Sequence, residues 1–226
     1  MIKTKQKGDL IIVSGTTCAG KGTVIKKILE NHNDIILSIS HTSRPKREHE
    51  KDGVDYYFIT QEEFEEKIKK DEFLEYAKVH YGNYYGTSRV ELERLLETGK
   101  DVILEIDVHG AKQVKEKFPE TVLIFILAPS MEEVMRRIMM RGDENKEQII
   151  SRFKVAYNEI NQLNNYNYVV VNEHLGDAVA KVEAILVSEK LRVDRIESVF
   201  VKNEEEIVHE FLMDKEFVNE PISLAD

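Results

Sequence analysis

One ten-residue stretch restricts the fold of this chain more than any other feature. It reads SGTTCAGKGT and runs from Ser14 to Thr23. The apolar run Leu10–Val13 before it suits a buried parallel strand, and the residues after it have apolar side chains at helical spacing. A glycine-rich turn between a strand and a helix is the setting of the phosphate-binding loop G-x-x-x-x-G-K-[ST]. The chain is therefore predicted to form an α/β fold around this loop.

The chemistry of the loop indicates a site for a nucleoside triphosphate. Gly15 and Gly20 allow positive φ angles and a close approach of the backbone to a ligand. Successive N–H groups at the start of the following helix would face the phosphates, and Lys21 would add a positive charge for the β- and γ-phosphates. The predicted triphosphate-binding residues of the loop are Gly15, Thr16, Thr17, Cys18, Ala19, Gly20, Lys21, Gly22 and Thr23.

Two positions of the loop need separate interpretation. Gly22 stands where the motif has a hydroxyl residue. Thr23 lies about 100° further round the helix, so it is expected to hold phosphate or a metal-bound water instead. Cys18 is the only cysteine of the chain, and without a partner cysteine it is expected to fill the loop as a small residue.

Composition limits the partners of the chain. The net charge of −10 over 226 residues argues against broad nucleic-acid binding. No apolar run reaches the ~18 residues of a membrane span, and a single cysteine fits a reducing cytoplasm. Bound anions must therefore be held by local clusters of positive groups.

Strand-like and helix-like segments alternate along much of the chain. Alternating βα units imply a parallel sheet that is covered by helices on both faces. The fully apolar strand Thr121–Leu127 is expected to be central. The other predicted strands are Asp34–Ser40, Asp101–Asp107 and Tyr168–Val171. The predicted helices lie at about Ser88–Glu97, Ala111–Lys117, Met131–Met140, Glu147–Asn164 and Gly176–Leu191.

The segment from Gly53 to about Gly86 breaks this alternation. It has short strand-like pieces around a helix at Gln61–Lys70, and it is rich in tyrosine. We expect a small mixed β lobe that is inserted in the sheet domain. The expected parts are a core of residues 1–40 and 87–191, an inserted lobe of residues 41–86, and an acidic C-terminal extension of residues 192–226. The extension suits docking on the protein's own surface, a subunit contact or a solvated tail.

Arginines form two further clusters. The segment SISHTSRPKR leaves a strand with Arg44 and Arg47 three residues apart, and Tyr56 follows in DGVDYYF. Guanidinium groups match phosphate oxygens bidentately, so this cluster suggests a second anionic ligand. Arg136, Arg137 and Arg141 lie near one helix end and Arg152 lies one segment on. Transfer of a phosphoryl group needs charge stabilisation of this kind.

Eight segments together resemble the guanylate kinase family. They are SGTTCAGKGTV, SISHTSRPKR, DGVDYYF, FLEYA, GNYYGTS, VILEIDVHGA, RIMMRGDEN…SRF and VVVNE, and they span about Asp9 to about Leu186. The resemblance implies an ATP:GMP phosphotransferase that also accepts dGMP. It also implies a phosphate-loop core with a parallel sheet flanked by helices, a small mixed β lobe that binds GMP, and a helical lid near residues 141–149.

The resemblance also assigns roles to residues. Glu75 in FLEYA would accept hydrogen bonds from guanine, while Asn172 and Glu173 would contact the adenine of ATP. Arg141 and Arg152 would neutralise the transferring phosphoryl group together with Lys21, Arg44 and Arg47, and Arg137 is a further candidate. The implied GMP-binding residues are Ser40, Arg44, Arg47, Tyr56, Glu75, Tyr85, Thr87, Glu105 and Asp107. The implied cofactor is Mg²⁺, with Thr23 and Asp107 as its ligands, in part through water.

Some positions depart from the family pattern. Lys46, His49 and His109 replace the usual residues on the acceptor side, and Thr16 to Cys18 differ within the loop. Two other functions therefore stay open: a related kinase acting on another phosphorylated acceptor such as a sugar bisphosphate, and a binding module without catalysis. Glu105 and Asp107 alternate in the predicted strand, so only one of them can face the site unless the strand end bends. The sequence leaves the choice between a monomer and a homo-oligomer open.

Overall fold

The computed structural model describes residues 3–6, 8–79, 82–140, 145–200, 208, 209 and 213. The chain divides into two compact units. The larger unit comprises Gly8–Ser188, and the smaller one comprises Met1–Lys7 together with Glu189–Asp226. No helix in the described ranges is long and apolar enough to cross a membrane.

Strands and helices alternate as the sequence analysis predicts. The strands are β1 (Lys3–Gln6), β2 (Leu10–Gly15), β3 (Ile35–Leu37), β4 (His41–Thr42), β5 (Tyr57–Phe58), β6 (Phe73–Val79), β7 (Asn83–Ser88), β8 (Asp101–Glu105), β9 (Val122–Leu127), β10 (Tyr168–Val171) and β11 (Ile196–Phe200). The helices are α1 (Lys21–Asn31), α2 (Gln61–Lys69), α3 (Arg89–Leu96), α4 (Val108–Lys117), α5 (Met131–Met140), α6 (Lys146–Ile160) and α7 (Leu175–Lys190). Short 3₁₀ turns lie at Leu163–Asn165 and Val193–Arg195.

The core of the larger unit is a five-stranded sheet in the order β10-β9-β2-β8-β3, and every strand pair in it is parallel. Alternate residues of β2 enter different hydrophobic clusters on the two faces of the sheet. Ile11 and Val13 pack with residues of α1 and α7, whereas Leu10 and Ile12 pack with residues of α3 and α4. Helices therefore cover both faces, which confirms the predicted fold class.

Helices α5 and α6 have a hydrophobic cluster of their own. It consists of Ala128, Val134, Ile138 and Ala156, which are all buried. Cys18 of the phosphate loop packs against this cluster. The two helices that flank the predicted lid thus contact the loop through apolar side chains.

A second sheet of four strands, in the order β5-β4-β7-β6, corresponds to the predicted mixed lobe. Strand β4 pairs in parallel with β5 and antiparallel with β7, and β7 also pairs antiparallel with β6. Helix α2 starts at a capping box in which Thr60 and Glu63 satisfy each other's backbone N–H groups. Its Phe64 is fully buried between the rings of Phe73 and Tyr84, at centroid distances of 4.3 and 5.0 Å. Aromatic stacking therefore ties α2 to this sheet.

Some predicted boundaries and the predicted centre of the sheet differ from the structure. Strand β8 ends at Glu105 rather than at Asp107, because Asp107 caps α4 and accepts the N–H groups of His109 and Gly110. The alternation argument for Glu105 and Asp107 therefore does not apply. Helix α6 ends at Ile160 and is followed by a separate 3₁₀ turn. Strand β9 is internal, but the middle of the sheet is taken by β2.

The ends of the chain pair with each other in the smaller unit. Strand β1 runs antiparallel to β11, with Lys3 opposite Phe200 and Gln6 opposite Ile196. This pairing is absent from our sequence analysis, because it joins segments almost the whole chain length apart. Beyond β11, the expected acidic extension lies outside the described residues except for Val208, His209 and Met213, which are helical. The expected domain boundaries stay predictions.

The stacked position of Phe64 leads to a prediction about stability. Phe64→Ala is expected to lower the free energy of unfolding by about 3–5 kcal/mol, because it removes a buried ring and leaves a cavity. Denaturant unfolding followed by circular dichroism measures this change. The control is Val90→Ala on α3, where the side chain is 67% exposed and the expected change is within about 0.5 kcal/mol. Equal effects of the two substitutions would contradict the packing role.

Candidate active site

The phosphate loop joins β2 to α1 and is anchored to the neighbouring strand. The N–H of Thr16 donates to Ile126 O at 3.2 Å. Gly15 and Gly20 have φ angles of 147° and 88°, as the motif predicts. A Cβ at Gly15 would lie 2.1 Å from Ile126 O, and one at Gly20 would lie 2.6 Å from Asn172 Nδ2. Both glycines are therefore required by the backbone geometry and by the close contacts of the loop.

Backbone donors converge at the end of this loop. The first hydrogen bond of α1 runs from Val24 N to Gly20 O, so the N–H groups of Gly20 to Thr23 have no acceptor within the helix. The first turn of α1 contains no acidic side chain. Lys21 Nζ folds over the loop and donates to Gly15 O at 3.0 Å and Thr16 O at 3.2 Å. Free donors, a helix N-terminus and a fixed ammonium group together suit a phosphate chain.

The back of the loop is held by side chains from later in the chain. Arg137 on α5 donates to the carbonyl oxygens of Cys18 and Ala19, each at 3.3 Å, and to that of Asn172. Its Nε is paired with Glu133 at 2.7 Å. The amide of Asn172 donates to Ala19 O at 2.8 Å. Arg137 thus lies against the loop backbone.

Glu159 on α6 is a loop contact that the sequence analysis missed. Its Oε2 accepts the N–H of Thr17 at 2.8 Å. Burial raises the pKa of this carboxyl group, while the charge of Lys21 opposes the shift. No local sequence signal indicates this contact, since the two residues are 142 positions apart.

The other predicted residues of the donor side are less closely tied to the loop. Cys18 has a φ angle of 62° and packs against the α5–α6 cluster, which supports its interpretation as a small packing residue. Arg152 is half-buried on α6, and Glu173 is exposed beside Asn172. Arg136 is exposed and paired with Glu133 on its own helix. Arg141 lies outside the described residues.

The cluster of Arg44, Arg47 and Tyr56, which is predicted to bind a second anionic ligand and is named the acceptor cluster, is built around Arg44. Its guanidinium group donates to both carboxylate oxygens of Glu50, at 2.7 and 3.0 Å, and to Pro45 O. Its Nε donates to Tyr85 Oη at 3.1 Å. Since an arginine has five N–H donors, these four bonds leave one N–H for a ligand. Glu50, which the sequence analysis missed, also accepts the N–H of Arg47 at 2.8 Å.

Aromatic rings surround this guanidinium group. Arg44 lies 5.6 Å from the ring centroid of Tyr56, and the Tyr56 and Tyr85 rings are 5.7 Å apart. Burial raises the pKa of Tyr56 to about 12, so its hydroxyl stays protonated at neutral pH. Ser40 lies just before β4, and the side chain of Arg47 is 55% exposed. The structure therefore brings Arg44, Tyr56 and Tyr85 together and leaves Arg47 at the rim.

Glu75 on β6 lies in a narrow buried space. It is 4% exposed and accepts a hydrogen bond from Thr87 Oγ1 at 2.7 Å. Burial raises the pKa of Glu75 to about 7, and the charge of Asp107 adds to the shift. A Cβ at Gly110 would lie 2.6 Å from Glu75 Oε2. Gly110, which the sequence analysis did not single out, therefore provides the space for this carboxylate at the start of α4.

Glu105 and Asp107 lie at the carboxyl end of β8, beside the end of β2. The side chain of Glu105 reaches solvent in a crowded cleft, where burial raises its pKa and the charge of Lys21 opposes the shift. Its charge also raises the pKa of Tyr56. The charge of Asp107 similarly raises the pKa values of Glu75 and Glu159. Both carboxylates therefore lie within electrostatic reach of the loop and of the acceptor cluster.

The shifted pKa of Glu75 predicts a pH-dependent stability. The group ionises near pH 4.5 when unfolded and near pH 7 when folded, so the native state loses stability as pH rises through this window. The substitution Glu75→Gln removes the free-energy cost of burying an ionised carboxylate at this position. We expect the variant to exceed the wild type by about 2–3 kcal/mol in unfolding free energy at pH 8, and by much less at pH 5.

Urea unfolding at the two pH values measures this difference. Glu66→Gln, which removes an exposed carboxylate from α2, controls for the loss of one negative charge. An identical Glu75→Gln effect at pH 5 and pH 8 would contradict the shifted ionisation.

Comparison with known proteins agrees with this geometry. A sequence model of guanylate kinase matches residues 7–189. A guanylate kinase of Clostridium perfringens is 52% identical over 94% of this chain and 98% of its own length. One of Clostridium tetani is 53% identical over 92% of this chain and 100% of its own length.

A solved structure shows the same fold. The crystal structure of guanylate kinase from Anaplasma phagocytophilum superposes with a TM-score of 0.72 at 33% identity, covering 93% of this chain and 99% of that one. From its sequence, its relatives and its fold, this chain belongs to the guanylate kinase family.

Proposed function

We propose that the phosphate loop and the mixed sheet hold the two substrates of one reaction. The chain is an ATP:GMP phosphotransferase, which transfers the γ-phosphoryl group of ATP to GMP and releases ADP and GDP. The observation that carries the proposal is that one chain has both a phosphate loop and a buried carboxylate in a restricted space, Glu75. Glu105 and Asp107 interact electrostatically with groups on both sides, Glu105 with Lys21 and Asp107 with Glu75. We extend the acceptor to dGMP, and we propose that the enzyme works in the cytoplasm without a nucleic-acid or membrane partner.

On the donor side, the loop from Gly15 to Thr23 is proposed to hold the phosphates of ATP. The N–H groups of Gly20 to Thr23 would bind phosphate oxygens, and Lys21 would neutralise the β- and γ-phosphates. Asn172 and Glu173 are proposed to contact the adenine. The hydrogen bond from Asn172 Nδ2 to Ala19 O supports a role of Asn172 on the donor side, because it links this residue to the phosphate loop.

On the acceptor side, Arg44 is proposed to hold the phosphate of GMP with its remaining N–H. Glu50 and Tyr85 fix the plane of the guanidinium group, so little side-chain entropy is lost on binding. Ser40, Arg47, Tyr56 and Tyr85 would complete the site around that phosphate.

Glu75 is proposed to distinguish guanine from adenine. A carboxylate can accept hydrogen bonds from the N1–H and the 2-amino group of guanine, and adenine lacks that pair of donors. Binding of these donors favours the ionised form and would return the raised pKa of Glu75 toward its ordinary range. Thr87 would hold the carboxylate in position through its hydroxyl.

Mg²⁺ is proposed to accompany ATP. Among the described residues, no cluster of three or more His, Cys, Asp or Glu side chains could hold a metal alone. A small set of oxygen ligands fits Mg²⁺, because this ion usually keeps several waters and binds substrate phosphates. Thr23 and Asp107 would hold it, in part through water, with Glu105 nearby. The ion would supply positive charge that offsets the negative charge of the ATP phosphates.

Catalysis is proposed to rest on positioning and charge neutralisation. Lys21, Arg44, Arg47, Arg141 and Arg152 would surround the transferring group, and no covalent enzyme intermediate is required. Residues 141–149 are proposed to form the lid, and residues 41–86 the acceptor lobe. Closure of the two would bring the substrates in line and exclude water.

A panel of acceptors tests the proposed function. ADP release from ATP and Mg²⁺ is measured with each nucleoside monophosphate in turn. We expect turnover with GMP and dGMP and not with AMP, because only guanine offers Glu75 its two donors. Glu75→Gln is expected to raise the KM for GMP by at least about tenfold, since it replaces an ionised acceptor by a neutral amide. An unchanged GMP KM in this variant would refute the role of Glu75.

Lys21→Ala tests the donor site. We expect kcat to fall by at least about 10²–10³-fold, because a preorganised charge at the transferring phosphate is lost. The matched control is Lys26→Ala, an exposed position on the same helix, with kcat expected to match the wild type. Melting temperatures of both variants verify that they are folded. Near-normal turnover of a folded Lys21→Ala protein would contradict the proposed role of Lys21 at the ATP phosphates.

A further inference from the structure

One N–H of the phosphate loop is bound by a carboxylate instead of facing the ligand site. The N–H of Thr17 donates to Glu159 Oε2 at 2.8 Å, across 142 residues of chain. Glu159 is 8% exposed, and burial raises its pKa. A buried negative charge beneath a loop that binds anions is unfavourable in itself. A favourable effect of Glu159 on the site must therefore offset this cost.

Three backbone donors of the loop are taken by protein acceptors. Thr16 N binds Ile126 O, Thr17 N binds Glu159, and Ala19 N binds Thr16 O. The first and third acceptors are backbone carbonyls, so they follow from the path of the chain. Of these three N–H donors, only that of Thr17 has a side-chain acceptor, and the orientation of its peptide determines how the chain enters the turn at Cys18.

We propose that Glu159 is a positioning residue for the donor site, which fixes the Thr17 peptide so that the remaining N–H groups of the loop converge on the phosphates of ATP. This inference rests on the proposed function, since it assigns the loop to ATP. Glu159 acts through the loop backbone and does not itself contact the substrate.

Two further observations agree with this role. Burial raises the pKa of Glu159 and the positive charge of Lys21 opposes this shift, which means that the carboxylate and the ammonium group attract each other across the loop. Glu159 also lies seven residues after Arg152 on α6. Seven residues are about two turns, roughly 10 Å along one helix face. The bond to Thr17 therefore anchors the helix that carries Arg152 to the loop.

Steady-state kinetics of Glu159 variants test the proposal. Glu159→Ala leaves the Thr17 N–H without its acceptor and is expected to raise the KM for ATP about tenfold or more, with the KM for GMP within about twofold of the wild type. Glu159→Gln keeps a carbonyl oxygen for this N–H and is expected to recover the ATP KM to within about threefold. The matched control is Glu183→Gln on α7, a carboxylate that contacts Asn31 and His32, with wild-type constants expected.

The outcomes separate this proposal from the proposed function. Equal rises in the KM values for ATP and GMP, an unchanged ATP KM in Glu159→Ala, or a Gln variant as impaired as the Ala variant would each overturn the positioning role. Should Glu159→Ala not fold, Glu159→Asp, shorter by one methylene, takes its place with the same expectation. Calorimetric titration of ATP gives a readout that needs no acceptor, so a wild type that binds ATP but does not phosphorylate GMP would overturn the proposed function alone.

Discussion

The turn from β2 into α1 is held by hydrogen bonds from elements far away in sequence. Ile126 of β9 accepts Thr16 N, Arg137 of α5 and Asn172 bind the loop carbonyls, and Glu159 accepts Thr17 N. A loop with several positive φ angles has no regular hydrogen-bond ladder to fix it. The surrounding core must therefore be complete before the loop takes its shape, which makes the anion site a product of tertiary structure.

Raised pKa values of three carboxyl groups near the loop and the mixed sheet are the second feature of the molecule. The pKa values of Glu75, Glu105 and Glu159 are all raised, with burial as the largest cause in each case. Such groups are stabilised by hydrogen-bond donors or cations, and clusters of them are typical of functional sites. In a chain of net charge −10, Lys21 and Arg44 provide positive charge at the two proposed anion sites. In the proposed function the guanine of GMP supplies two further donors to Glu75, whereas Glu159 already accepts the N–H of Thr17.

Much of the fold could be predicted from the sequence, because apolar periodicity and the loop motif are local signals. The strands around the loop and the helices on both faces follow from such patterns. The end of β8 could not be predicted by alternation, since the side chain of Asp107 turns the chain into α4. The pairing of β1 with β11 and the contact of Glu159 with Thr17 depend on packing between distant segments. Glu50 had a weak local signal, because it is an acidic residue three positions after Arg47.

The carboxyl end of β8 links the two halves of the site. Glu105 ends the strand, Asp107 caps α4, and Gly110 leaves the space that Glu75 occupies. These three residues lie within six positions of one another, so one short backbone segment sets both the shape of the buried acceptor pocket and the charge beside the phosphate loop. A shift of α4 against β6 would therefore move Asp107 and close the space beside Glu75 at the same time. In the proposed function, recognition of the acceptor base and the electrostatics of phosphoryl transfer would thus be coupled by covalent connection, without requiring a longer chain of contacts between them.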